Sequence, residues 1–473
     1  MTGPTVRTTA IPGLLVVDLV VHADDRGWFK ENWQRARMVP LGLPDFGPVQ
    51  HNMSFNAGVG VTRGLHAEPW DKLVSLAHGR VFGVWVDLRA GESFGTVVTL
   101  ELGPETAVFV PRGVANGYQT LTPDTAYSYL VNDHWSPEAR SSYSYLNLAD
   151  ETLAIDWPIP LDQAIISEAD ARHPRLADAA PVPPGRTVIV GSGGQLGRAL
   201  TALLPDAEGV DLPDFDLTRA DAVAGFDWTG VDTIINASAY TAVDAAETAE
   251  GRRAAWATNV AGVARLCRVA AERRITLVHV SSDYVFDGVV EEHTEDEPFA
   301  PLGVYGQTKA AGDALVGQLA RHYVVRTSWV IGAGRNFVST MAGLADRGAC
   351  PDVVDDQHGR LTFTQDLAAG IVHLLGTGAP FGTYNLTNTG PVQSWAEIAR
   401  DVFELRGRSR DDVHPITTGQ YAAGRPAAPR PAHSALRLDK IIASGFTPAP
   451  AGEGLVAYLA GLDAGTTPRP IPM

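Results

Sequence analysis

The spacing of hydrophobic positions along the chain changes near residue 180. Before that point, short runs rich in Val, Phe, Tyr and Thr, such as "RVFGVWVDL" and "TAVFVPRG", are separated by Gly, Pro and Asp turns. These turns recur about every 8–12 residues, which is typical of an all-β barrel or sandwich. The first part of the chain is therefore predicted to be a β domain.

After residue 180, strand-like runs such as "RTVIVG", "VDTIINAS" and "ITLVHVSS" alternate with Ala-rich helical runs such as "AAWATNVAGVARLCRVAAERR". This alternation predicts βαβ units around a parallel sheet. The intervening stretch "DARHPRLADAAPVPPGR" is rich in Pro and Ala and lacks apolar periodicity, so it predicts a linker. We expect a β domain over residues 1–178, a linker over 179–186 and an α/β domain over 187–473.

Composition narrows the class of protein. The 473 residues are 45% hydrophobic and 19% charged, as in globular chains, and they suffice for at least two cores. The net charge of −17 disfavours nucleic acid and anionic membranes as partners. Cys267 and Cys350 are the only cysteines, so no disulfide framework is expected and both are predicted to be buried or inert. Without an apolar stretch of about 20 residues, we expect a cytoplasmic protein.

The second domain opens on a glycine-rich turn, "VIVGSGGQLGRAL", with Gly191, Gly194 and Gly197 between a strand and a helix. Missing side chains at such a turn let backbone N–H groups approach a pyrophosphate, and the helix N-terminus adds partial positive charge. Asp211 or Asp216, in the segment that follows, is the candidate contact to adenosine. The turn predicts a dinucleotide site.

A second pattern, "VYGQTKAAG", places Tyr305 and Lys309 four residues apart, on one face of a helix. A lysine beside a tyrosine lowers the pKa of the phenol and orients a nicotinamide ribose, so that Tyr305 can protonate a ketone as hydride arrives. Upstream, "VHVSSDYVF" puts Ser281 and Ser282 at a predicted strand end, where a hydroxyl can hold the carbonyl. The combination predicts a ketone reductase.

With "NASAYTAVDAAE", "SSDYVFDG", "PLGVYGQTKAAGD" and "RTSWVIG", residues 186–465 resemble the extended short-chain dehydrogenase/reductases, and within them the dTDP-4-dehydrorhamnose reductases. The resemblance implies a Rossmann fold with a small substrate subdomain, the catalytic residues Ser282, Tyr305 and Lys309, and Trp329 beside the sugar. It implies NADPH as cofactor, with NADH left open because no basic residue follows the second strand before Arg219. The implied cofactor contacts, besides Tyr305 and Lys309, are Gly191, Gly194, Gln195, Leu196, Gly197, Asp216, Leu217, Ala237, Ser238, Tyr240 and Asn259.

In the first domain, "VTRGLHAEPWDKLV" places Arg63, His66 and Lys72 within a strand and its following loop. A histidine titrates near neutrality and can remove a proton next to a carbonyl, while neighbouring cations stabilise an enolate or grip a diphosphate. No His-x-His pair accompanies His66, so acid/base chemistry without a metal is expected.

The motifs "DDRGWFKENW", "VQHNMSFN", "VFVPRGVANGYQTL", "YSYLVNDHWSP" and "ADETLAIDWP" make residues 8–170 resemble the dTDP-4-dehydrorhamnose 3,5-epimerases, which are cupin-type jelly rolls. The resemblance implies His66 as base, Asp150 as the carboxylate that orients it, Tyr129 as acid on the opposite sugar face and Lys72 as enolate stabiliser. The residues implied to hold the nucleotide sugar are Arg26, Glu31, Gln50, Asn52, Arg63 and Asn116.

Together the resemblances imply consecutive steps on one chain, which would convert dTDP-4-dehydro-6-deoxy-D-glucose to dTDP-L-rhamnose, with a homodimer formed through the first domain. Asn116 stands where many epimerases carry a second histidine. That departure leaves open inversion of a single carbon, in a related dTDP- or UDP-deoxyhexose pathway. A regulatory protein that binds dinucleotide without turnover is the other alternative.

Overall fold

The computed structural model describes residues 3–137, 139–424 and 426–464, and the chain divides into two compact units, residues 1–184 and 185–473. The start of the first predicted domain and the end of the second lie outside the described residues. In the described part, no helix combines the length and apolarity needed to cross a bilayer. Cys267 is half-buried and Cys350 is exposed, and both are free thiols; of the two predicted alternatives, burial does not hold for Cys350, and inertness stays a prediction.

The first unit consists mainly of short strands, as the turn spacing predicts. Its two short helices are α1 (Arg35–Met38) and α2 (Glu168–Ala171). Its strands are β1 (Thr5–Thr8), β2 (Leu15–Asp18), β3 (Val21–Asp24), β4 (Gly27–Lys30), β5 (Gln50–Asn56), β6 (Val61–Ala67), β7 (Lys72–His78), β8 (Val81–Asp87), β9 (Val97–Leu102), β10 (Thr106–Val110), β11 (Val114–Thr120), β12 (Thr125–Val131), β13 (Ser144–Tyr145) and β14 (Ile165–Ile166).

Two antiparallel sheets form the first unit, with strand orders β1-β2-β10-β7-β12-β5 and β13-β6-β11-β8-β9, and β14 adds to β6 in parallel. Alternate side chains of facing strands meet in a common core; Val74 and Val108 come from one sheet, Trp85 and Tyr118 from the other. This two-sheet jelly roll confirms the predicted all-β, cupin-type fold.

The second unit alternates strands and helices. Its helices are α3 (Gln195–Leu203), α4 (Ala220–Gly225), α5 (Val243–Ala246), α6 (Ala249–Trp256), α7 (Val263–Arg273), α8 (Val304–Val316), α9 (Phe337–Asp346), α10 (Thr364–Thr377), α11 (Trp395–Leu405), α12 (Thr418–Ala422), α13 (Asp439–Ala443) and α14 (Ala451–Asp463). The strands are β15 (Arg186–Val190), β16 (Glu208–Val210), β17 (Val231–Asn236), β18 (Thr276–Ser282), β19 (Glu292–His293), β20 (His322–Thr327), β21 (Val330–Ile331), β22 (Asp352–Val354), β23 (His358–Gly359), β24 (Thr362–Phe363), β25 (Gly382–Asn385), β26 (Gln393–Ser394), β27 (His414–Ile416) and β28 (Ala435–Leu436).

Six of these strands form a parallel sheet in the order β16-β15-β17-β18-β20-β25. Neighbouring residues of one strand face opposite sides: Ile189 packs with α3 and α10, whereas Val188 and Val190 pack with α7. The strand order reverses between β15 and β17, which opens a crevice beyond their carboxyl ends. This doubly wound sheet confirms the predicted Rossmann-type α/β fold. A separate core of α9, α11 and α14 lies in the part of this unit for which the resemblance implies a substrate subdomain.

Candidate active sites

The first candidate site is a cavity of about 230 Å³ in the jelly roll, lined by residues of both sheets. Strand β6 and its neighbour β11 supply one wall, and β7 and β12 supply the other. The antiparallel register places His66 of β6 opposite Asn116 of β11. On the other wall, β12 pairs with β7 and carries Tyr129. The cavity therefore brings together side chains from two sheets.

His66 forms the central pair of this cavity with Asp170, since its Nε2 lies 3.0 Å from the Asp170 Oδ1. Asp170 lies in α2, whose first turn is capped by Ser167, and 104 positions separate it from His66 in the sequence. Burial acts to raise the pKa of Asp170, but hydrogen bonds with His66 and Ser167, together with the charges of the His66 and His173 rings, lower it overall. Asp170 is therefore an ionised carboxylate that can orient the ring and stabilise its protonated form.

The prediction that Asp150 orients His66 is wrong. Asp150 Oδ1 accepts hydrogen bonds from the N–H groups of Thr152 and Leu153, and its Oδ2 accepts one from the N–H of Leu176. These bonds tie two loop segments together, as carboxylates in turns commonly do. Asp150 is a structural residue of the loop, and Asp170 occupies the place predicted for it.

Lys72 and Tyr129 line the cavity, as predicted for an enolate stabiliser and an acid. The Lys72 Nζ is buried and forms an ion pair with the carboxylate of Glu68, which also lines the cavity. Burial raises the pKa of Tyr129 to about 12, and the Glu68 charge adds to the rise. Tyr129 is therefore a neutral phenol at physiological pH, the form that can donate a proton.

Two of the residues predicted to hold a nucleotide sugar, Arg63 and Asn116, also line the cavity. The Arg63 Nε donates to the Asn56 Oδ1 at 3.0 Å, which fixes the guanidinium beside the opening. The Asn116 Oδ1 accepts a hydrogen bond from the Tyr127 hydroxyl at 3.2 Å. Asn116 is thus held by a phenol and contributes no titratable group.

The other four residues of that prediction do not line the cavity. Gln50 and Asn52 lie on β5, joined by a hydrogen bond of 2.8 Å between their side chains. Arg26 pairs with Asp24 in the β3–β4 turn with its side chain 90% exposed. Glu31 follows that hairpin and pairs with an exposed arginine. Their predicted role in binding stays a prediction.

A third side chain, His173, adjoins the pair of His66 and Asp170. Its Nε2 lies 3.9 Å from the Asp170 Oδ1, and its ring centroid lies 5.3 Å from that of His66. One ligand atom from each residue falls within 4.8 Å of the others. This is the group of described residues whose spacing suits a metal ion.

The second candidate site is a cleft of about 860 Å³ at the carboxyl ends of the parallel strands of the second unit. It lies at the reversal of strand order, where open α/β sheets bind ligands. Most residues predicted from the motifs line it together. They are Gly191, Gly194, Gln195, Leu196, Asp216, Leu217, Ala237, Ser238, Tyr240, Ser282, Tyr305, Lys309 and Trp329.

Two glycines shape the turn at the head of this cleft. Gly191 has a φ of +83°, and a Cβ there would meet the backbone of Ser238 at 2.8 Å. A Cβ on Gly197 would meet the Gly191 oxygen at 2.1 Å. Gly197 does not line the cleft; it lets the first turn of α3 pack directly beneath the loop. The missing side chains let the turn pack closely against its neighbours, which gives the tight strand–turn–helix form that binds dinucleotide pyrophosphates.

Tyr305 and Lys309 lie one turn apart on α8, as the sequence predicts. Lys309 is 1% exposed, and its Nζ donates to the Val280 carbonyl at 2.7 Å. Burial lowers the pKa of Lys309 to about 8. Burial raises the pKa of Tyr305, while a hydrogen bond with Ser282 acts to lower it. The phenol is therefore protonated at neutral pH and is available as an acid.

Ser282 ends β18 at the floor of the cleft. Its Oγ donates to the Asp283 Oδ1 at 3.0 Å and accepts from the N–H of Tyr284 at 3.2 Å. Burial raises the pKa of Asp283 to about 6. The serine hydroxyl is thus oriented by fixed partners next to Tyr305, and its contact with a substrate carbonyl stays a prediction.

Asn259 differs from its prediction, because it does not line the cleft. Its Oδ1 accepts from the N–H of Tyr240 and its Nδ2 donates to the oxygen of Tyr240, at 2.9 and 3.1 Å. A further bond reaches the Thr308 Oγ1 on α8. Asn259 therefore positions the backbone that lines the cleft and makes no direct lining contact.

Trp329 lines the cleft, stacked on Trp395 with ring centroids 3.7 Å apart. Its φ is +46°, a left-handed conformation that is uncommon for a bulky residue and marks a local constraint. A Cβ on Gly359 would meet the Trp329 ring at 2.9 Å. The indole is thus held between a glycine and a second tryptophan.

Sequence reasoning missed Asp170, Glu68 and Trp395. Ser167 followed three residues later by Asp170 is an N-cap pattern, which signals a helix start but not a partner for a distant histidine. Glu68 lies two residues after His66, a spacing that places both side chains on the same face of an extended segment. That proximity was a usable signal. Nothing in the sequence around Trp395 indicates that it reaches the cleft.

A jelly roll holding a histidine–carboxylate pair and a doubly wound sheet holding a tyrosine–lysine pair define a two-site enzyme that combines proton abstraction with dinucleotide-dependent reduction. Family models name the two halves. The chain belongs to the dTDP-4-dehydrorhamnose 3,5-epimerase family over residues 8–178 and to the RmlD substrate binding domain family over residues 185–463.

Individual relatives agree with this division. The "Protein RmlC homolog" of Streptococcus pyogenes serotype M6 is 50% identical over 179 residues, 37% of this chain and 90% of the relative. The dTDP-4-dehydrorhamnose reductase of Aggregatibacter actinomycetemcomitans is 37% identical over 275 residues, 54% of this chain and 92% of the relative. The Bacillus anthracis dTDP-4-dehydrorhamnose reductase crystallised with NADP is 32% identical, with a TM-score of 0.53, covering 57% of this chain and 97% of its own.

Proposed function

We propose that this chain performs two consecutive steps of dTDP-L-rhamnose biosynthesis. The first unit epimerises dTDP-4-dehydro-6-deoxy-D-glucose at C3 and C5, and the second reduces the C4 ketone of the product. The observation that carries the proposal is that one chain holds the His66–Asp170 pair and the Tyr305–Lys309 pair, each within the fold of the matching family.

For the epimerisation, C3 and C5 both flank the C4 ketone, so their protons are acidic and one base can remove either. His66 takes the proton, and the ionised Asp170 stabilises the resulting imidazolium. Lys72 stabilises the negative charge on the enolate oxygen. Tyr129 belongs to the opposite wall of the cavity and is protonated, so it returns a proton to the other face. The carbon is thereby inverted.

For the reduction, NADPH fits the cleft because the turn that holds Gly191 and Gly194 lines it directly at the N-terminus of α3, where backbone N–H groups suit a pyrophosphate. NADPH supplies the hydride that adds to C4. The Tyr305 phenol donates its proton to the C4 oxygen. The Ser282 hydroxyl rotates from Asp283 to donate its hydrogen bond to that oxygen and so holds it in place. Lys309 provides a positive charge beside Tyr305 and a donor for the ribose. The product is a C4 alcohol.

We further propose that the chain forms a homodimer through its first unit. We also propose that it acts in the cytoplasm, where reduced dinucleotide is consumed. Strand β5 is the edge of its sheet, and it presents Met53 and Phe55 to solvent, 62% and 64% exposed. The β3–β4 hairpin presents Trp28 and Phe29, 41% and 68% exposed. Apolar side chains on an unpaired edge favour association with a second copy. Light scattering on the full chain tests this proposal, since a monomeric mass would exclude it.

The test of the two activities is a single incubation of the full chain with dTDP-4-dehydro-6-deoxy-D-glucose and NADPH in deuterated water. We expect NADPH oxidation and deuterium at both C3 and C5 of the product, since each inversion takes its new proton from solvent. Proton magnetic resonance and mass spectrometry of the purified product measure the label. A product that carries no deuterium at C3 and none at C5 would overturn the epimerase assignment.

A second candidate is epimerisation at one carbon only. The hydrogen bond between Asn116 and Tyr127 favours it, because no second imidazole faces His66 from β11. Label at C3 alone or C5 alone in the same experiment would select this candidate. If the chain binds NADPH but does not oxidise it, the result would instead indicate a regulatory protein.

A further inference from the structure

The group formed by His66, Asp170 and His173 contains one histidine more than the proposed epimerisation uses. Asp170 and His173 are three residues apart, so one short turn presents both side chains to His66 on β6. The Tyr145 ring packs against His173, with centroids 4.7 Å apart, and also edge-on against His66 at 5.4 Å. Packing thus holds the two imidazoles around one carboxylate.

The spacing of the three groups suits a tetrahedral metal ion. Zinc bound by nitrogen and oxygen at about 2.0–2.1 Å has neighbouring ligand atoms about 3.3 Å apart. Here the Asp170 Oδ1 lies 3.0 Å from the His66 Nε2 and 3.9 Å from the His173 Nε2. The three ligand atoms lie within 4.8 Å of one another, so side-chain movements of about 1 Å would bring them to the spacing of zinc ligands. Two imidazoles and a carboxylate are among the common donors to zinc.

The surroundings also admit a cation. The charged side chains that line the cavity are Arg63 and Lys72, with Glu68 and Asp170, so two cations balance two carboxylates. The Lys72 ammonium is already paired with Glu68. His66 is 33% exposed and faces the cavity, which leaves space for a water molecule as fourth ligand.

We propose that His66, Asp170 and His173 form a zinc site that switches off the first activity. In the working base, the His66 Nε2 carries the hydrogen that is donated to Asp170, and the electron pair on Nδ1 accepts the substrate proton. Zinc displaces that hydrogen from Nε2, and the one N–H of the neutral imidazole then lies on Nδ1, so the electron pair needed for the substrate proton is lost. Occupied by the metal, His66 is no longer a base. Tyr305 and Lys309 belong to the other unit, so the reductase activity continues.

The binding arm of the test uses Zn²⁺ alone, titrated calorimetrically into the full chain, and Co²⁺ as an optical probe whose visible absorption reports tetrahedral coordination. We expect one ion per chain at this site. In His173→Asn, the affinity should fall roughly 10-fold or more, since even the loss of an outer-sphere partner commonly costs 10–100-fold. The control is His414→Asn, which alters an exposed histidine whose Nδ1 lies 3.6 Å from Asp352.

The inhibition arm rests on the proposed role of His66. It measures deuterium incorporation and NADPH oxidation on the same protein preparation, and the NADPH assay is supplied with epimerised ketone. Each variant is compared with its own rate without zinc. Wild type and His414→Asn should lose deuterium incorporation with zinc and recover it with a chelator, while His173→Asn should need a higher zinc concentration.

The outcomes separate the two proposals. Unchanged Zn²⁺ affinity in His173→Asn, or no tetrahedral Co²⁺ spectrum in wild type, would overturn the zinc site whatever the enzyme does. If zinc binding depends on His173 but the metal-free chain has no epimerase activity, the zinc site is supported and the proposed function is overturned. Equal inhibition of both activities would show that zinc acts elsewhere.

Discussion

The cavity of the first unit and the cleft of the second differ in how they treat water. His66 is 33% exposed on its side chain and pairs with a carboxylate in the cavity of the jelly roll. Lys309 is 1% exposed, and burial shifts its pKa. A base that must exchange its proton with solvent between half-reactions benefits from access to water. Hydride transfer to a ketone requires no solvent proton until the product leaves, and a drier site strengthens its electrostatics.

The largest expected effect is the separation of the two activities by single substitutions. His66→Asn should lower deuterium incorporation by roughly 10²- to 10⁴-fold, the usual contribution of a general base. The same variant should oxidise NADPH normally when epimerised ketone is supplied. Tyr305→Phe should show the reverse, because it removes the proton donor of the other site. Loss of both activities in either folded variant would contradict two independent sites.

A smaller effect should distinguish the two aspartates of the first unit. Asp170→Asn should slow deuterium incorporation by roughly 10²-fold, because the His66 imidazolium loses its ionised partner. Asp150→Asn should leave the exchange rate near wild type and lower thermal stability, by about 1–3 kcal/mol, since loop N–H groups lose their acceptor. Exchange rates and thermal melts measure both. A slower exchange in Asp150→Asn at unchanged stability would restore Asp150 to the site.

The smallest effect is a pH dependence confined to the second site. Burial lowers the pKa of Lys309 to about 8, so the free enzyme loses this positive charge as pH rises through that value. The kcat/KM for ketone reduction should then fall, by roughly tenfold per pH unit above the pKa, because this ratio reports groups of the free enzyme. Stopped-flow NADPH oxidation from pH 6.5 to 9.5, with epimerised ketone, provides the measurement. A flat profile would show that Lys309 is not the group that titrates.

The two sites also differ in how far they could be predicted from sequence. In the second unit, the glycines and the Tyr305–Lys309 pair belong to single turns, so local spacing dictates their geometry. In the first unit, His66 meets a carboxylate 104 positions away, and the path of the intervening loops decides which one. Asp150 and Asp170 both lie in polar turns, and local patterns do not separate them. The fold class followed from periodicity because burial of alternate residues is a local property of strands.

The covalent union of the two units fixes their copy number. Every chain carries one epimerising site and one reducing site, so their ratio cannot be adjusted by synthesising more of one enzyme. Any imbalance between supply and consumption of the keto intermediate must then be corrected through rates. A ligand that acts on one unit alone, as proposed for zinc at His173, would change the ratio of working sites without changing the amount of protein.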